Sequence, residues 1–231
     1  MIFCHNLFSQ SKIVSNGNQQ WFQYYNQAKL GNKWTLFSDL GYRWKDGFHE
    51  NSQYIIRTAI GYSIHPSLRI SLGVAHLGSY IAKKASIFEF RPYQELALKN
   101  NFNEIELTNR FRVEERFFNF DYNGEIQLPS DFNFRFRYSI MMGIPLFRLS
   151  KEKTNRIFLL YIGNEIFINA GNTIANNIFD QNRIIFSPSL KLNEQVTFSL
   201  TWNSQFASTS LQNTYKYTNV IWFQVKHKLG I

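Results

Sequence analysis

The chain has 231 residues, of which 17% are aromatic, with a formal net charge of +9 and a mean hydropathy of −0.29. No break in composition divides it, so we expect one large all-β unit, and the single cysteine, Cys4, excludes an internal disulfide framework. No apolar run approaches the roughly 18–20 residues of a spanning helix. If the chain crosses a membrane, it must do so as a closed barrel.

Residues 1–10 resemble the end of a signal peptide that would start upstream of Met1, with cleavage near Ser9 or Gln10. They lack the basic region of a complete signal peptide. An unstructured cytosolic N-terminus is the alternative. We therefore predict a signal-peptide remnant at 1–10 and a single β-barrel domain at 11–231.

Apolar and polar residues alternate with a period of two along most of the chain. The alternation predicts strands near 19–30, 33–45, 52–64, 67–79, 87–99, 156–169 and 182–192. Four more follow at 104–114, 132–142, 196–203 and 221–231. Most are 11–14 residues long, which exceeds the 5–6 or so of an average strand in a soluble protein and suits a tilted membrane strand of about 9–11.

Short and long connections alternate along the chain. Short ones are predicted near 31–32, 65–66, 100–103 and 193–194, and longer ones near 46–51, 80–86, 118–131, 170–181 and 207–216. This alternation is typical of bacterial outer-membrane barrels, although the connection at 145–155 is long where a short one is expected. Such barrels usually have an even number of strands, so we expect a further strand within 8–17, around Ile13 and Val14. The prediction is a closed, antiparallel, up-and-down transmembrane β-barrel of about 12 strands.

Aromatic residues near the predicted strand ends indicate membrane-interface girdles. They are Trp34, Trp44, Tyr62, Tyr80, Phe117, Phe132 and Trp202. The alternative is a large, soluble, lipocalin-like barrel, which would turn its apolar face inward.

If the apolar face meets lipid, the other face forms a charged lumen in which opposite charges on neighbouring strands can pair. The predicted lumen cluster consists of Glu89, Arg91, Glu95, Glu104, Glu106, Arg110, Arg112, Glu114, Arg116, Arg135, Arg137 and Glu165. The same parity directs further residues inward: Asp39, Arg43, Lys45, Arg57, Tyr93, Tyr161, Arg183, Lys226 and Lys228. Pro92 interrupts the most highly charged strand and suggests a β-bulge there.

No catalytic constellation is evident. His49, His65, His76 and His227 are scattered, so neither a metal site nor a cofactor is expected. No G-x-S-x-G elbow, phosphate loop or dinucleotide motif occurs. An outward-facing His76 with Ser79 or Ser38 beside it would be the weak candidate for a lipid-side Ser–His pair.

Three charged segments carry a resemblance to a known family. FEFRPYQELAL at 88–98 is followed by ELTNRFRVEERFF at 106–118 and FNFRFRYSIMMGIPL at 132–146. The order of Arg91, Pro92, Gln94 and Glu95, then the Arg-x-Arg-x-Glu run from Arg110, then Arg135, Arg137 and Tyr138 resembles an uncharacterised outer-membrane β-barrel family, catalogued as a domain of unknown function and common in Bacteroidota. The resemblance implies a fold and an outer-membrane location and implies no activity.

The sequence therefore predicts a non-enzymatic protein of the Gram-negative outer membrane. It would be a narrow, porin-like channel with anion preference, or a structural subunit of a larger envelope complex. The alternative is an outer-membrane enzyme acting on phospholipid or lipopolysaccharide. Expected partners are outer-membrane lipid, lipopolysaccharide and other outer-membrane proteins. Nucleic acid is not expected, because the basic residues alternate with apolar ones inside strands.

Overall fold

The computed structural model describes residues 12–122, 125–126, 131–149, 155–171, 174 and 178–230. The predicted signal-peptide remnant lies outside these residues. Twelve strands are present in the described part of the chain: β1 (Ile13–Lys29), β2 (Trp34–Lys45), β3 (Glu50–His65), β4 (Leu68–Ile81), β5 (Lys84–Phe102), β6 (Ile105–Tyr122), β7 (Glu125–Ile126), β8 (Asp131–Arg148), β9 (Ile157–Ala170), β10 (Phe179–Lys191), β11 (Val196–Ser208) and β12 (Thr214–Leu229).

Eleven long strands close into a barrel. Each pairs antiparallel with its neighbour in the chain, β6 pairing with β8, while the two-residue β7 only extends a hairpin from β6. The first and last strands, β1 and β12, close the barrel by parallel pairing. An odd number of up-and-down strands makes this pairing parallel, because the first and last strands then run in the same direction. The prediction of a closed, antiparallel, up-and-down all-β barrel is therefore confirmed for the closed all-β barrel, while the barrel has eleven long strands instead of about 12 and its closing pair is parallel.

The extra strand expected within 8–17 does not exist in the described residues. Ile13 to Gly17 instead form the start of β1, where they pair with Thr214 to Thr218 of β12. The polar run Ser15-Asn16-Gly17-Asn18 carries no alternation that would mark it as strand. Its extended conformation is held by backbone pairing with a strand some 200 residues away, which no local pattern reveals.

The strands are strongly tilted. Following the hydrogen-bonded register once around the barrel returns to β1 with a displacement of about 14 residues, and such a stagger implies a tilt of roughly 40–45° from the barrel axis. At about 3.3 Å per residue, even the 12-residue β2 then rises by roughly 28 Å along the axis.

The connections lie at two rims. Among the described residues, the upper rim holds 46–49, 82–83 and 209–213, and the lower rim holds 30–33, 66–67, 103–104 and 192–195. The predicted alternation of short and long connections was wrong. The three connections 66–67, 82–83 and 103–104 are all short although they fall on both rims, and the strands are then eight residues apart three times in succession, between β6 and β8, β8 and β9, and β9 and β10. The long connection predicted after β8 is confirmed. The connection predicted at 80–86 was wrong in length, because β4 and β5 extend to within two residues of each other.

The barrel has an apolar outer surface and a polar interior. Large apolar side chains on alternate positions point outward, with Leu72 62% exposed and Ile56 58% exposed. Their strand neighbours face inward, and among them Glu114 has no exposed surface. This distribution is the reverse of the one that the lipocalin-like alternative required. Among the described residues no helix is long and apolar enough to cross a membrane.

Pro92 does not produce the predicted bulge. The register between β4 and β5 continues through the Val74–Pro92 pair, and the β5–β6 register is the same on both sides of it. The irregularity in the β4–β5 pair falls instead between Ser79 and Tyr80, close to the turn. Pro92 thus removes one backbone donor without shifting the strand.

Most of the predicted girdle residues lie near the rims. Trp34 and Tyr62 pack with ring centroids 4.8 Å apart beside the lower rim, and Trp44 contacts Phe48 beside the upper rim at 5.5 Å. Trp202 does not belong with them. It lies midway along β11, is 40% exposed, and donates its indole N–H to Asn219 at 3.2 Å.

Candidate functional site: the barrel interior

A cavity of about 750 Å³ runs inside the barrel. Its lining includes Gln19 and Lys45 near the upper rim and Gln27 and Lys228 near the lower rim. The cavity therefore extends along the barrel axis. An eleven-stranded barrel is wider than the eight-stranded kind that side chains fill completely, and long arginine side chains occupy much of the extra space.

Glu114 on β6 is the centre of a buried ion-pair network. Its two carboxylate oxygens each lie 2.6 Å from a guanidinium nitrogen, one of Arg135 and one of Arg137 on the adjacent β8. Arg91 on β5 and Arg112 on β6 approach the same carboxylate to 3.5 and 3.6 Å. Burying a charged group is costly unless it is paired with an opposite charge and hydrogen-bonded. The four arginines around Glu114 provide this pairing for its carboxylate.

Two further carboxylates extend the network across strands. Glu165 on β9 accepts hydrogen bonds from Arg137 at 2.7 Å and from Arg110 at 2.6 Å. Glu95 on β5 accepts two from Arg112, at 2.9 and 2.5 Å. Because Arg112 and Arg137 each bridge two carboxylates, the network joins β5, β6, β8 and β9 into one wall. We call the inward-facing charged residues of these four strands the charged wall.

Glu89 completes the charged wall toward the upper rim. It accepts hydrogen bonds from Arg91 at 2.6 Å and from Arg116 at 2.7 Å. A separate ion pair lies on the opposite side of the barrel, where Arg57 contacts Asp39 at 2.8 Å and Gln23 donates to the same carboxylate.

The structure brings together ten of the twelve residues of the predicted lumen cluster, all of them in the contacts just described. Glu106 also faces inward, but it pairs with Lys99 near the lower rim, away from the network. Glu104 is the exception: it lies exposed in the two-residue turn between β5 and β6. The predicted strand 104–114 began one residue too early, in the turn before β6.

Two members of the network were missed by the sequence analysis. Arg69 on β4 contacts Glu95 at 3.7 Å, and Asp180 on β10 contacts Arg135 at 3.2 Å. The parity of Arg69 with Ser71 and Ala75 was sufficient to place it inside. Asp180 was assigned to a loop, because β10 begins three residues before its predicted start.

Aromatic rings lie against several guanidinium groups of the network. The ring of Phe167, only 1% exposed, lies under the guanidinium carbons of Arg137 and Arg183 at 4.5 Å each. Tyr93 lies under Arg112 at 4.2 Å and also covers Gly73 on the adjacent strand. A Cβ at position 73 would fall inside the Tyr93 ring, so glycine is required there by close approach.

The wall formed by β10, β11 and β12 is of a different kind. Small polar side chains face inward, and they bond to one another: Ser187 with Thr201 at 2.5 Å, Ser189 with Ser199 at 2.7 Å, and Gln224 to Thr201 at 2.8 Å. We call these five residues the hydroxyl wall.

Positive charge dominates the cavity surface. Among the described residues its lining contains thirteen cationic side chains: Arg43, Lys45, Arg57, Arg69, Arg91, Arg110, Arg112, Arg116, Arg135, Arg137, Arg183, Lys226 and Lys228. It contains four carboxylates: Asp39, Glu89, Glu95 and Glu165. The excess makes the cavity attractive to anions.

The histidine and serines that the sequence offered as a catalytic pair lie apart in the described structure. His76 points outward between the rings of Tyr54 and Phe88, while Ser79 accepts a hydrogen bond from Gln53 beside the cavity, and Ser38 lies two strands away on β2. The suggested Ser–His pair is therefore not formed. In the part of the chain that the structure describes, no group of three or more His, Cys, Asp or Glu side chains is placed to hold a metal ion.

Fold and interior together define a closed β-barrel with a charged, arginine-rich lumen and an apolar outer surface. The chain belongs to the family described as "Protein of unknown function (DUF2490)", whose model matches residues 18–216. The predicted membership of an uncharacterised family is thereby confirmed. No curated protein and no solved structure matches the chain.

Proposed function

We propose that this protein is an outer-membrane β-barrel that forms a narrow, anion-preferring passage. The observation that carries the proposal is that the barrel has its large apolar side chains outside and its charged side chains inside. An outward apolar surface of this extent is unfavourable in water, and closed barrels are one of the two structures that can span a bilayer.

The dimensions support the same placement. A rise of roughly 28 Å for a 12-residue strand is comparable with the apolar band of about 25 Å on outer-membrane barrels. Packed aromatic pairs such as Trp34–Tyr62 and Trp44–Phe48 flank this height at the two rims. The outer surface would thus contact membrane lipid, including lipopolysaccharide on the outer leaflet.

The passage itself is supported by the cavity. Side chains from both rims line it, and its lining carries thirteen cations against four carboxylates. Rings of arginine and lysine favour anions in pores. The buried network around Glu114 fills part of the lumen, so the passage would be narrow and would suit small solutes.

The test is conductance of the refolded protein in planar bilayers under a salt gradient, with the reversal potential as the measured quantity. We expect small unitary currents and a reversal potential on the anion-selective side. The double variant Lys45→Gln and Lys226→Gln, which removes two cavity-lining cations, should reduce the selectivity. The matched control is Lys33→Gln with Lys83→Gln, which removes the same charge from exposed turns.

Two results would overturn the proposal. The first is a folded, membrane-inserted protein without any channel events, which would favour a structural role in the envelope. The second is cation selectivity, or equal effects of the lumen pair and the turn pair of substitutions.

A further inference from the structure

The strands next to the β1–β12 pair that closes the barrel carry a second group of inward-facing residues with polar groups, which lies outside the ion-pair network around Glu114. Trp21 on β1 is the cross-strand neighbour of Trp222 on β12 and of Arg43 on β2. Arg183 on β10 is the neighbour of Gln205 on β11. All five side chains line the cavity, and we call them the seam cluster.

The two arginines of the seam cluster are only weakly neutralised. Arg43 has no carboxylate within 4 Å among the described residues; it donates to the Gln53 amide oxygen at 2.6 Å and its guanidinium carbon lies 3.9 Å from the centre of the Trp21 ring. Arg183 reaches its nearest carboxylate, Glu165, only at 3.7 Å. Its guanidinium carbon lies 5.5 Å from the same Trp21 ring, so the two cations share one aromatic platform.

Three buried hydrogen-bond donors in the seam cluster lack acceptors. They are Nε of Arg183, Nε2 of Gln205 and the indole Nε1 of Trp222, none of which has a hydrogen-bond partner among the described residues. Gln205 is 8% exposed, and its own oxygen is already used, since it accepts from Gln181 at 2.6 Å. Leaving buried donors unpaired is costly.

The chemistry of this group selects one kind of ligand. Every unused group is a donor, and two of the five side chains are cations, so the complementary ligand is rich in acceptors and negatively charged. Arginine forks match the spacing of oxygens in phosphate and carboxylate groups. Trp21 holds the two guanidinium groups by its ring face without consuming their N–H donors.

We propose that the seam cluster is a binding site for a small oxyanion, of the phosphate or carboxylate class, in the half of the barrel nearer the upper rim. If the barrel is a passage, this site indicates that small oxyanions are the solutes that enter it. The inference rests on the proposed function in one respect: the ligand must be able to reach the site from one rim. Glu165 lies at the edge of the site, 3.7 Å from Arg183. Its carboxylate reduces the positive charge of the site but leaves the Nε donor of Arg183 without an acceptor among the residues that the structure describes.

The test uses inorganic phosphate as the probe, titrated against the refolded full chain in detergent by calorimetry, with tryptophan fluorescence as a second readout. We expect saturable 1:1 binding that is weaker for chloride. Arg43→Gln should lower the phosphate affinity by about tenfold or more, the effect of losing a hydrogen bond to a charged group. Arg43→Lys, which keeps the charge and loses the fork, should give an intermediate affinity.

Gln205→Glu is the sharper variant, because it keeps the size of the side chain and supplies Arg183 with the missing acceptor. It should abolish phosphate binding while the barrel keeps its far-ultraviolet circular dichroism. Ser189→Ala on the same strand as Arg183 is the control and should bind phosphate as the unmodified protein does. It removes a hydroxyl whose hydrogen bonds, within the described part of the chain, are to Ser199 and to the Ser187 backbone.

The outcomes separate this inference from the proposed function. Absence of saturable phosphate binding by the unmodified protein, or unchanged binding by Gln205→Glu, overturns the seam site even if anion-selective currents are recorded. If the unmodified protein binds phosphate and Gln205→Glu abolishes that binding, the site is supported even when no current is recorded. In that case only the proposed passage is overturned.

Discussion

The charged wall on β5, β6, β8 and β9 and the hydroxyl wall on β10, β11 and β12 line the same lumen and adjoin where β9 pairs with β10. The charged wall uses long side chains whose ends meet in bridged ion pairs, as at Glu114. The hydroxyl wall uses short side chains bonded to their cross-strand neighbours, as at Ser187 and Thr201. The first depends on electrostatic balance among many residues, and the second on local pairs. Substitutions in the two walls should therefore differ in cost.

The largest effect is expected from Glu114→Gln. Removing this carboxylate leaves Arg135 and Arg137 buried and short of a counter-charge, and breaking one side of a buried ion pair costs about 3–5 kcal/mol. The free energy of unfolding in urea, measured in detergent micelles, should fall by that amount. A loss below about 1 kcal/mol, as expected for an exposed pair, would mean that water solvates the network and that the two walls do not differ in kind.

A smaller loss is expected from Gly73→Ala, which tests the packing that supports the charged wall. The added methyl group would overlap the Tyr93 ring, on which Arg112 lies. Overpacking of this type costs about 1–3 kcal/mol. The control is Gly31→Ala in the lower-rim turn, where no atom lies within 4 Å of an added Cβ. Because Gly31 has φ +143°, that control carries backbone strain of its own, so the expected result is a larger loss of stability at position 73 than at position 31.

In the hydroxyl wall, Thr201→Val should cost about 1–2 kcal/mol. It keeps the shape of the side chain but deprives Gln224 of its acceptor and Ser187 of its partner. The same urea titration measures it. A loss as large as that of Glu114→Gln would show that the hydroxyl wall, too, acts as an extended network.

The smallest effect is expected at the lower rim, from Glu194→Gln. Lys191 donates to this exposed carboxylate at 2.7 Å, and the hydrogen bond lowers the pKa of Glu194. A carboxylate with a lowered pKa in the folded state stabilises the protein above its ordinary pKa and loses that contribution as the pH falls. Exposed pairs contribute about 0–1 kcal/mol, so the variant should differ slightly at pH 7 and not at all in strong acid. A difference that grew toward low pH would contradict this assignment.

The sequence by itself determined which residues of each strand share a face. Strict alternation leaves each side chain only two directions, so Arg110, Arg112 and Glu114 had to lie on the same face, and they point inward if the apolar face meets lipid. The same rule placed Arg43 and Arg183 inside. It failed only where a strand ended elsewhere than predicted, as at Glu104 and Asp180.

Tertiary structure alone decided the strand number and the pairing of charges. The start of β1 is a strand because β12 lies beside it, and the resulting odd number closes the barrel through two parallel strands. The bridging of Glu114 and Glu165 by Arg137, across three strands, depends on register. Register arises from backbone pairing between strands distant in the chain, and local alternation carries no information about it.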